Sequence, residues 1–228
     1  MAGSAVPDKP LIVAIDGPSG VGKSTTGRLV ARALNIPHID TGAMYRAIAL
    51  AALRAGIGTR DEAALEDLAS RVRIDFIPGE RERILLDGED VTSQIRTPQV
   101  SMAASDVSSV PAVRRILVRL QQELGRRSGG VLEGRDIGTK VFPETPYKFF
   151  LTARPEVRAQ RRYRELLAKG QSVDYQSVLA ESERRDMQDS TRTDSPLTYD
   201  QTYTVIDTSD LTIDQVAEAI VQRVRSFC

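Results

Sequence analysis

Apolar positions along this chain fall into two alternating patterns, short unbroken runs and longer stretches with helical spacing. Leu11-Ile12-Val13-Ala14-Ile15 is unbroken and ends at Asp16-Gly17, the pattern of a strand buried on both faces of a parallel sheet. Lys23 to Leu34 then predicts a helix, with Leu29, Val30 and Ala33 at helical spacing and Asn35 as its stop. His38-Ile39-Asp40 predicts a second short strand, followed by a helix from about Ala43 to Ala55. Gly130-Val131-Leu132-Glu133, Lys148-Phe149-Phe150-Leu151 and Thr204-Val205-Ile206-Asp207 predict three more strands. Pro111 opens a helix running to about Arg127, and further helices are predicted over 155–169, 175–187 and 212–225. Strands alternating with helices imply an α/β fold, with five parallel strands covered on both faces.

One stretch breaks that alternation. Residues 61–70 predict a short amphipathic helix, after which Val72, Ile74 and Phe76 alternate with polar residues. Pro78-Gly79 and Asp87-Gly88 supply turns around Ile84-Leu85-Leu86, and Glu89-Asp90-Val91 follows. This predicts a small antiparallel β insertion. The chain has 228 residues, 41% of them hydrophobic, enough for one core with such an insertion. With no repeat or linker in view, residues 11–228 are expected to form one domain behind a loose tail, 1–10.

Charge and rare residues narrow the classes. The 31 basic and 31 acidic residues cancel, against the basic excess of a dedicated nucleic-acid binder. Trp is absent and aromatics are 5%, leaving no platform for stacked bases. Cys228 is the one cysteine and His38 the one histidine, so neither an intramolecular disulfide nor a multi-histidine metal centre can form. His38 is read as a packing residue. Ala47 to Leu53 is too short to span a bilayer, and the first ten residues lack a signal peptide's apolar segment. The expectation is a cytoplasmic monomer with no membrane or nucleic-acid partner.

The chemistry begins at Gly17-Pro18-Ser19-Gly20-Val21-Gly22-Lys23-Ser24, which matches G-x-x-x-x-G-K-[ST] at every fixed position. The glycines let successive N–H groups turn into one cavity. The helix start adds its unpaired N–H groups and positive end. Lys23 can reach the β- and γ-phosphates of ATP, and the Ser24 hydroxyl can meet Mg²⁺. By itself the loop does not choose among kinase, GTPase, ATPase and nucleotide-binding module. No N-K-x-D guanine motif is present. Arginines are many, and Arg154, Arg158 and Arg161 are expected on one helix face. Two phosphorylated substrates would bring about six negative charges together, repelling by several kcal/mol at intermediate dielectric. Lysine, magnesium and arginines offset that, and a phosphate acceptor needs no general base.

Further motifs carry a family resemblance. Gly17 to Thr25, Asp40-Thr41-Gly42-Ala43-Met44-Tyr45-Arg46, Leu86-Asp87-Gly88-Glu89-Asp90-Val91, Glu133-Gly134-Arg135-Asp136-Ile137-Gly138, and Asp189-Ser190-Thr191-Arg192 with Ser195-Pro196-Leu197 together resemble bacterial cytidylate kinases. The resemblance covers nearly the whole chain from Leu11. The first motif is widely shared; the others are specific in combination. The resemblance implies a P-loop NTPase-type three-layer α/β/α fold. It also implies transfer of phosphate from ATP to CMP or dCMP with Mg²⁺, and uridylate, adenylate or a metabolite are the alternative acceptors.

The same resemblance assigns roles. Gly17 to Thr25 hold ATP, with Ser24 on the metal. Thr41, Arg46 and Arg135 lie on the acceptor, the two arginines as phosphate clamps. Ser105, Arg114 and Asp136 read the cytosine edge, Arg185 and Asp189 hold the ribose, and Arg192 completes the pocket. Residues 61–100 form the acceptor-binding region. A helical lid over 154–171 brings Arg158 and Arg161 to join Lys23 at the transferring group. Thr41 stands where some relatives have serine, and Lys140 where an apolar residue is common. The residues themselves leave two readings open. Asp136 either accepts from the cytosine amine or forms an internal salt bridge with Arg135 or another arginine. Glu133 either assists Mg²⁺ through water or pairs with Lys23.

Overall fold

The computed structural model describes residues 10–77, 82–168, 170–192 and 194–226. The expected tail before Pro10, the Pro78-Gly79 turn and Cys228 lie outside them. Strand β1 (Ile12–Asp16) is followed by α1 (Lys23–Leu34), β2 (His38–Asp40) and α2 (Thr41–Arg54). Helix α3 (Glu62–Arg71), strands β3 (Ile74–Ile77), β4 (Arg83–Leu86) and β5 (Glu89–Asp90), and helix α4 (Pro98–Val107) come next. Then follow α5 (Pro111–Ser128), β6 (Gly130–Gly134), β7 (Lys148–Thr152), α6 (Pro155–Ala168), α7 (Tyr175–Thr191), β8 (Thr204–Asp207) and α8 (Ile213–Arg225).

The main sheet has the order β2-β6-β1-β7-β8, with every pair parallel. The five predicted parallel strands are all present. The insertion strands form their own antiparallel sheet, β3-β4-β5, with Ile74 opposite Leu86. Alternation along β1 divides the core. Val13 and Ile15 pack with Val30, Val216 and Ile220 of α1 and α8. Ala14 faces the other way, toward Met44, Ile48 and Leu117 of α2 and α5. Helices therefore cover both faces, and the strands' carboxyl ends are left as the free edge where ligands bind in open α/β sheets.

Local chemistry explains how β1 delivers the phosphate loop there. Gly17 has φ +146°, and a Cβ at this position would lie 2.1 Å from the Leu151 carbonyl oxygen. Only glycine lets the chain leave β1 past β7 at that distance. Gly22 takes φ 94° just before α1 begins, and Asn35 ends that helix at φ 54°. Buried Asp16 accepts from the Ile137 and Gly138 N–H groups, each at 2.9 Å, and from the Tyr203 hydroxyl at 2.8 Å. Burial raises its pKa to about 6 even so. Asp16 is a structural tie between the loop's root and the Ile137–Val141 π-turn.

Boundaries differ where polar side chains make the turns. Asp40 caps α2 through the Ala43 N–H at 3.1 Å, so that helix begins at Thr41 rather than Ala43. Helix α7 runs on to Thr191, past the predicted 187. Helix α4 is absent from the sequence reading, although Val100, Ala103, Ala104 and Val107 fall at helical spacing and are all buried. It starts at Pro98 under a Thr97 cap. Arg154 precedes α6, so it does not share the helix face of Arg158 and Arg161.

Candidate active site

The carboxyl ends of β1, β2 and β6 open into one cleft of about 600 Å³. Ser19, Gly20, Gly22, Lys23, Ser24 and Thr25 form its phosphate-loop end. Gly17, Pro18 and Val21, also expected on ATP, do not line it. The Gly17 and Pro18 carbonyls instead accept from Lys23 Nζ at 2.7 and 2.6 Å. Val21 is buried in the core, and its carbonyl accepts from the Thr208 hydroxyl at 3.1 Å. Burial, helped by the field of Arg135, pushes the Lys23 ammonium well below its ordinary pKa. An arriving phosphate reverses that imbalance.

Glu133 stands at the end of β6 opposite the loop. Its Oε2 accepts from the Ser24 hydroxyl at 2.9 Å, and its Oε1 lies 3.2 Å from His38 Nε2. The pairing with Lys23 is therefore not formed. His38 is more than packing, since its Nδ1 also lies 3.6 Å from Glu82. Burial would lower the pKa of His38, but the two carboxylates override it and raise it to about 9.

The other end of the cleft is lined by Thr41, Arg46, Ser105, Arg114, Arg135, Asp136, Arg185, Asp189 and Arg192, so every residue assigned to the acceptor is brought there. Arg114 and Asp136 are 2% and 5% exposed and bond directly. The internal bridge thus exists, with Arg114 rather than Arg135, and it forms part of the wall. Arg114 also donates to the Ser108 carbonyl at 3.1 Å and lies 5.6 Å from the Tyr45 ring. Arg135 donates to Asp189 at 2.7 Å, and Arg192 lies 3.7 Å from the same carboxyl. Ser105 bonds Gln188 at 3.0 Å, tying α4 to α7. The Thr41 hydroxyl donates to the Glu133 carbonyl at 2.7 Å. Arg46 and Arg96 lie 3.7 and 3.9 Å from Asp40. Burial lowers the pKa of Arg185 and Arg192, aided by Arg135 in one case and Arg114 in the other. So many guanidinium groups facing one space describe a chamber for an anion.

The lid arginines separate. Arg161 lines the cleft and is held by the Thr208 hydroxyl and carbonyl at 3.0 and 2.6 Å. Arg158 does not line it. It is buried against the Ala153 carbonyl, the Ser19 carbonyl and Asp186, at 3.1, 3.3 and 2.6 Å. Arg154 pairs with Asp210 outside the cleft. Sequence reasoning missed Arg28, Tyr45 and Arg96 as lining residues. Arg28 was findable, one helical turn beyond Ser24. Arg96 was not, because nothing in its local pattern reports its proximity to Asp40.

A phosphate loop facing an arginine-lined chamber across one cleft defines a P-loop phosphotransferase with an anionic acceptor. A family model described as cytidylate kinase matches residues 13–226. Cytidylate kinase of Syntrophotalea carbinolica is 50% identical over 216 residues, covering 94% of this chain and 92% of that protein. The cytidylate kinase of Desulforamulus reducens is 47% identical over 209 residues, covering 92% and 94%. An uncharacterized protein from Eubacterium ventriosum has the same fold, with TM-score 0.52, 16% identity and coverage of 96% of this chain and 99% of that one. The chain belongs to the cytidylate kinase family. Among the described residues no helix is long and apolar enough to cross a membrane.

Proposed function

We propose that this chain transfers the γ-phosphoryl group of ATP to CMP or dCMP by direct in-line attack, giving ADP and CDP or dCDP. The observation that carries this reading is the buried Arg114–Asp136 pair in the chamber wall, across one cleft from the phosphate loop. The carboxylate accepts from the exocyclic amine of cytosine, and the guanidinium donates to the ring acceptors. Uracil would turn a carbonyl toward the carboxylate.

In the reaction an acceptor phosphate oxygen forms a bond to the γ-phosphorus while the bond to the β,γ-bridging oxygen breaks. The attacking oxygen is already anionic, so no side chain has to remove a proton. Lys23 leaves the Gly17 and Pro18 carbonyls for the phosphates. Arg46 and Arg135 clamp the acceptor phosphate and fix its line of attack. Arg161 adds positive charge at the transferring group. Arg185 and Asp189 hold the ribose. Arg158 acts one step back, bracing the loop through the Ser19 carbonyl.

The donor set fits Mg²⁺, a hard cation that takes oxygen ligands. The Ser24 hydroxyl points at Glu133, whose buried Oε1 faces His38 Nε2 at 3.2 Å without an aligned hydrogen bond. Ser24 would hold the ion directly and Glu133 through water. When bound, Mg²⁺ neutralises charge on the β- and γ-phosphates. Residues 61–100 serve as the acceptor-binding region and 154–171 as the lid, within one domain. The protein works as a cytoplasmic monomer without nucleic-acid or membrane partners.

An acceptor panel coupled to ADP release tests the assignment. CMP and dCMP are expected to exceed UMP and AMP in kcat/KM by about a hundredfold or more. Turnover of another acceptor with none of CMP would overturn it. Arg192→Ala is expected to raise KM for CMP about tenfold with KM for ATP unchanged. The change relieves crowding among buried cations, so Tm should hold. An effect confined to ATP affinity would move Arg192 out of the acceptor pocket.

A further inference from the structure

We propose that His38 is a positioning residue for this reaction: lodged in the notch that Gly27 leaves in α1, it holds the Glu133 carboxylate turned toward the Ser24 hydroxyl and away from Lys23. The role rests on the reading of Ser24 as the residue that meets Mg²⁺.

The geometry makes His38 the partner that orients Glu133. Oε2 of that buried carboxylate is taken by Ser24 at 2.9 Å. The side chain facing Oε1 is the imidazole, with Nε2 at 3.2 Å. Among the described residues no other cationic side chain lies within ion-pairing distance of Glu133. Lys23 is close enough to feel its field, so a Glu133 released by the imidazole has an obvious alternative partner. That alternative would withdraw Lys23 from the phosphates and uncouple the carboxylate from Ser24 in one movement.

Two further features hold the imidazole in place. Gly27 lies inside α1, where glycine weakens a helix. A Cβ there would sit 2.9 Å from His38 Nε2 and 3.0 Å from its Cδ2. The missing side chain is therefore the space the ring occupies. On the far side Nδ1 lies 3.6 Å from Glu82, just before β4. A chain of contacts thus runs from the insertion sheet through Glu82, His38 and Glu133 to Ser24. Because the Ser24 hydroxyl spends its proton on Glu133, its lone pairs are left for the cation.

Three variants of the full chain test this: His38→Leu, His38→Gln and Gly27→Ala. Each is assayed with CMP across a Mg²⁺ titration, and ADP binding is measured by calorimetry with and without Mg²⁺. His38→Leu is expected to raise the Mg²⁺ concentration for half-maximal turnover, and to cut the Mg²⁺-linked gain in ADP affinity, each about tenfold. KM for CMP and Mg²⁺-free ADP affinity should stay within about twofold of wild type, because neither involves the Ser24–Glu133 pair. His38→Gln, whose amide can face Oε1 from the same place, should recover most of the loss. Gly27→Ala, with the imidazole intact but displaced, should reproduce it. Unchanged Mg²⁺ dependence in either His38→Leu or Gly27→Ala overturns the proposal, so it stays testable if the leucine variant does not fold. A glutamine variant no better than leucine, with every constant falling in step with Tm, also overturns it. Failure of wild-type protein to use CMP would instead overturn the proposed reaction, and the calorimetric arm reads the His38 role without it.

Discussion

Replacing Lys23 by alanine is expected to lower kcat about a thousandfold, at the upper end of what one preorganised charge contributes, without lowering Tm. The two halves of that expectation have one cause. Lys23 is buried, and its ammonium is satisfied by two loop carbonyls rather than by a carboxylate. Its pKa is depressed by burial and by Arg135. A depressed pKa means the native state binds that proton less tightly than the unfolded chain does. At neutral pH the charge therefore opposes folding, and stability rises with pH up to the unfolded value. Removing the amine removes that opposition, together with its contacts to two buried carbonyls. Activity and stability should then move in opposite directions, as at sites that hold charge ready for a ligand. Turnover within about tenfold of wild type would take Lys23 out of the mechanism. A large fall in Tm would mean that its two carbonyl contacts stabilise the loop more than burial destabilises it.

What could be read from the sequence was what neighbours in the chain decide. Gly17, Gly22, Lys23 and Ser24 belong to one short loop whose backbone demands are local, and the unbroken β1 run before it gave the sheet. The acceptor residues are a different case. Composition and spacing reported many arginines but could not aim them. Arg135 reaches Asp189 across 54 residues, and Ser24 reaches Glu133 across 109. Only the motif set as a whole placed them in one chamber. Where a residue stood alone, local reasoning failed. His38 looked like packing because its partners, Glu82 and Glu133, are distant in the chain. Arg158 and Arg161 are three apart on α6, yet one braces the loop and the other faces the cleft. Helix α4 was legible but missed: Thr97-Pro98 marks its start, and Val100, Ala103, Ala104 and Val107 keep helical spacing along its buried face. The Ile137–Val141 π-turn had no local signal, because the carboxyl that holds its first N–H groups belongs to Asp16.

Asp136→Asn should reduce kcat/KM for CMP by about 10²–10³-fold and narrow the preference over UMP by a similar factor. Asparagine has nearly the shape of aspartate but can present either a carbonyl or an amine. The amine face suits the uracil carbonyl, which the wild-type carboxylate repels. The same change weakens the partner of Arg114, a guanidinium 2% exposed whose ordinary pKa burial would lower but the neighbouring Tyr45 and Asp136 raise. Breaking a buried pair outright costs about 3–5 kcal/mol, and an amide that still accepts one hydrogen bond limits this to roughly 2–3 kcal/mol. For a chain of this length that corresponds to a fall in Tm of roughly 5–10 °C. Kinetics should therefore be measured well below the variant's transition, with Asp136→Ala alongside. The alanine variant strands Arg114 and offers uracil nothing, so it should lose CMP and UMP use together. If asparagine behaves like alanine, losing both acceptors equally, Asp136 acts only as the counter-ion of Arg114 and base selection lies elsewhere in the chamber. If CMP use falls while UMP use holds or rises, the carboxylate itself distinguishes the two bases, and its bond to Arg114 is what keeps it correctly turned in a buried wall.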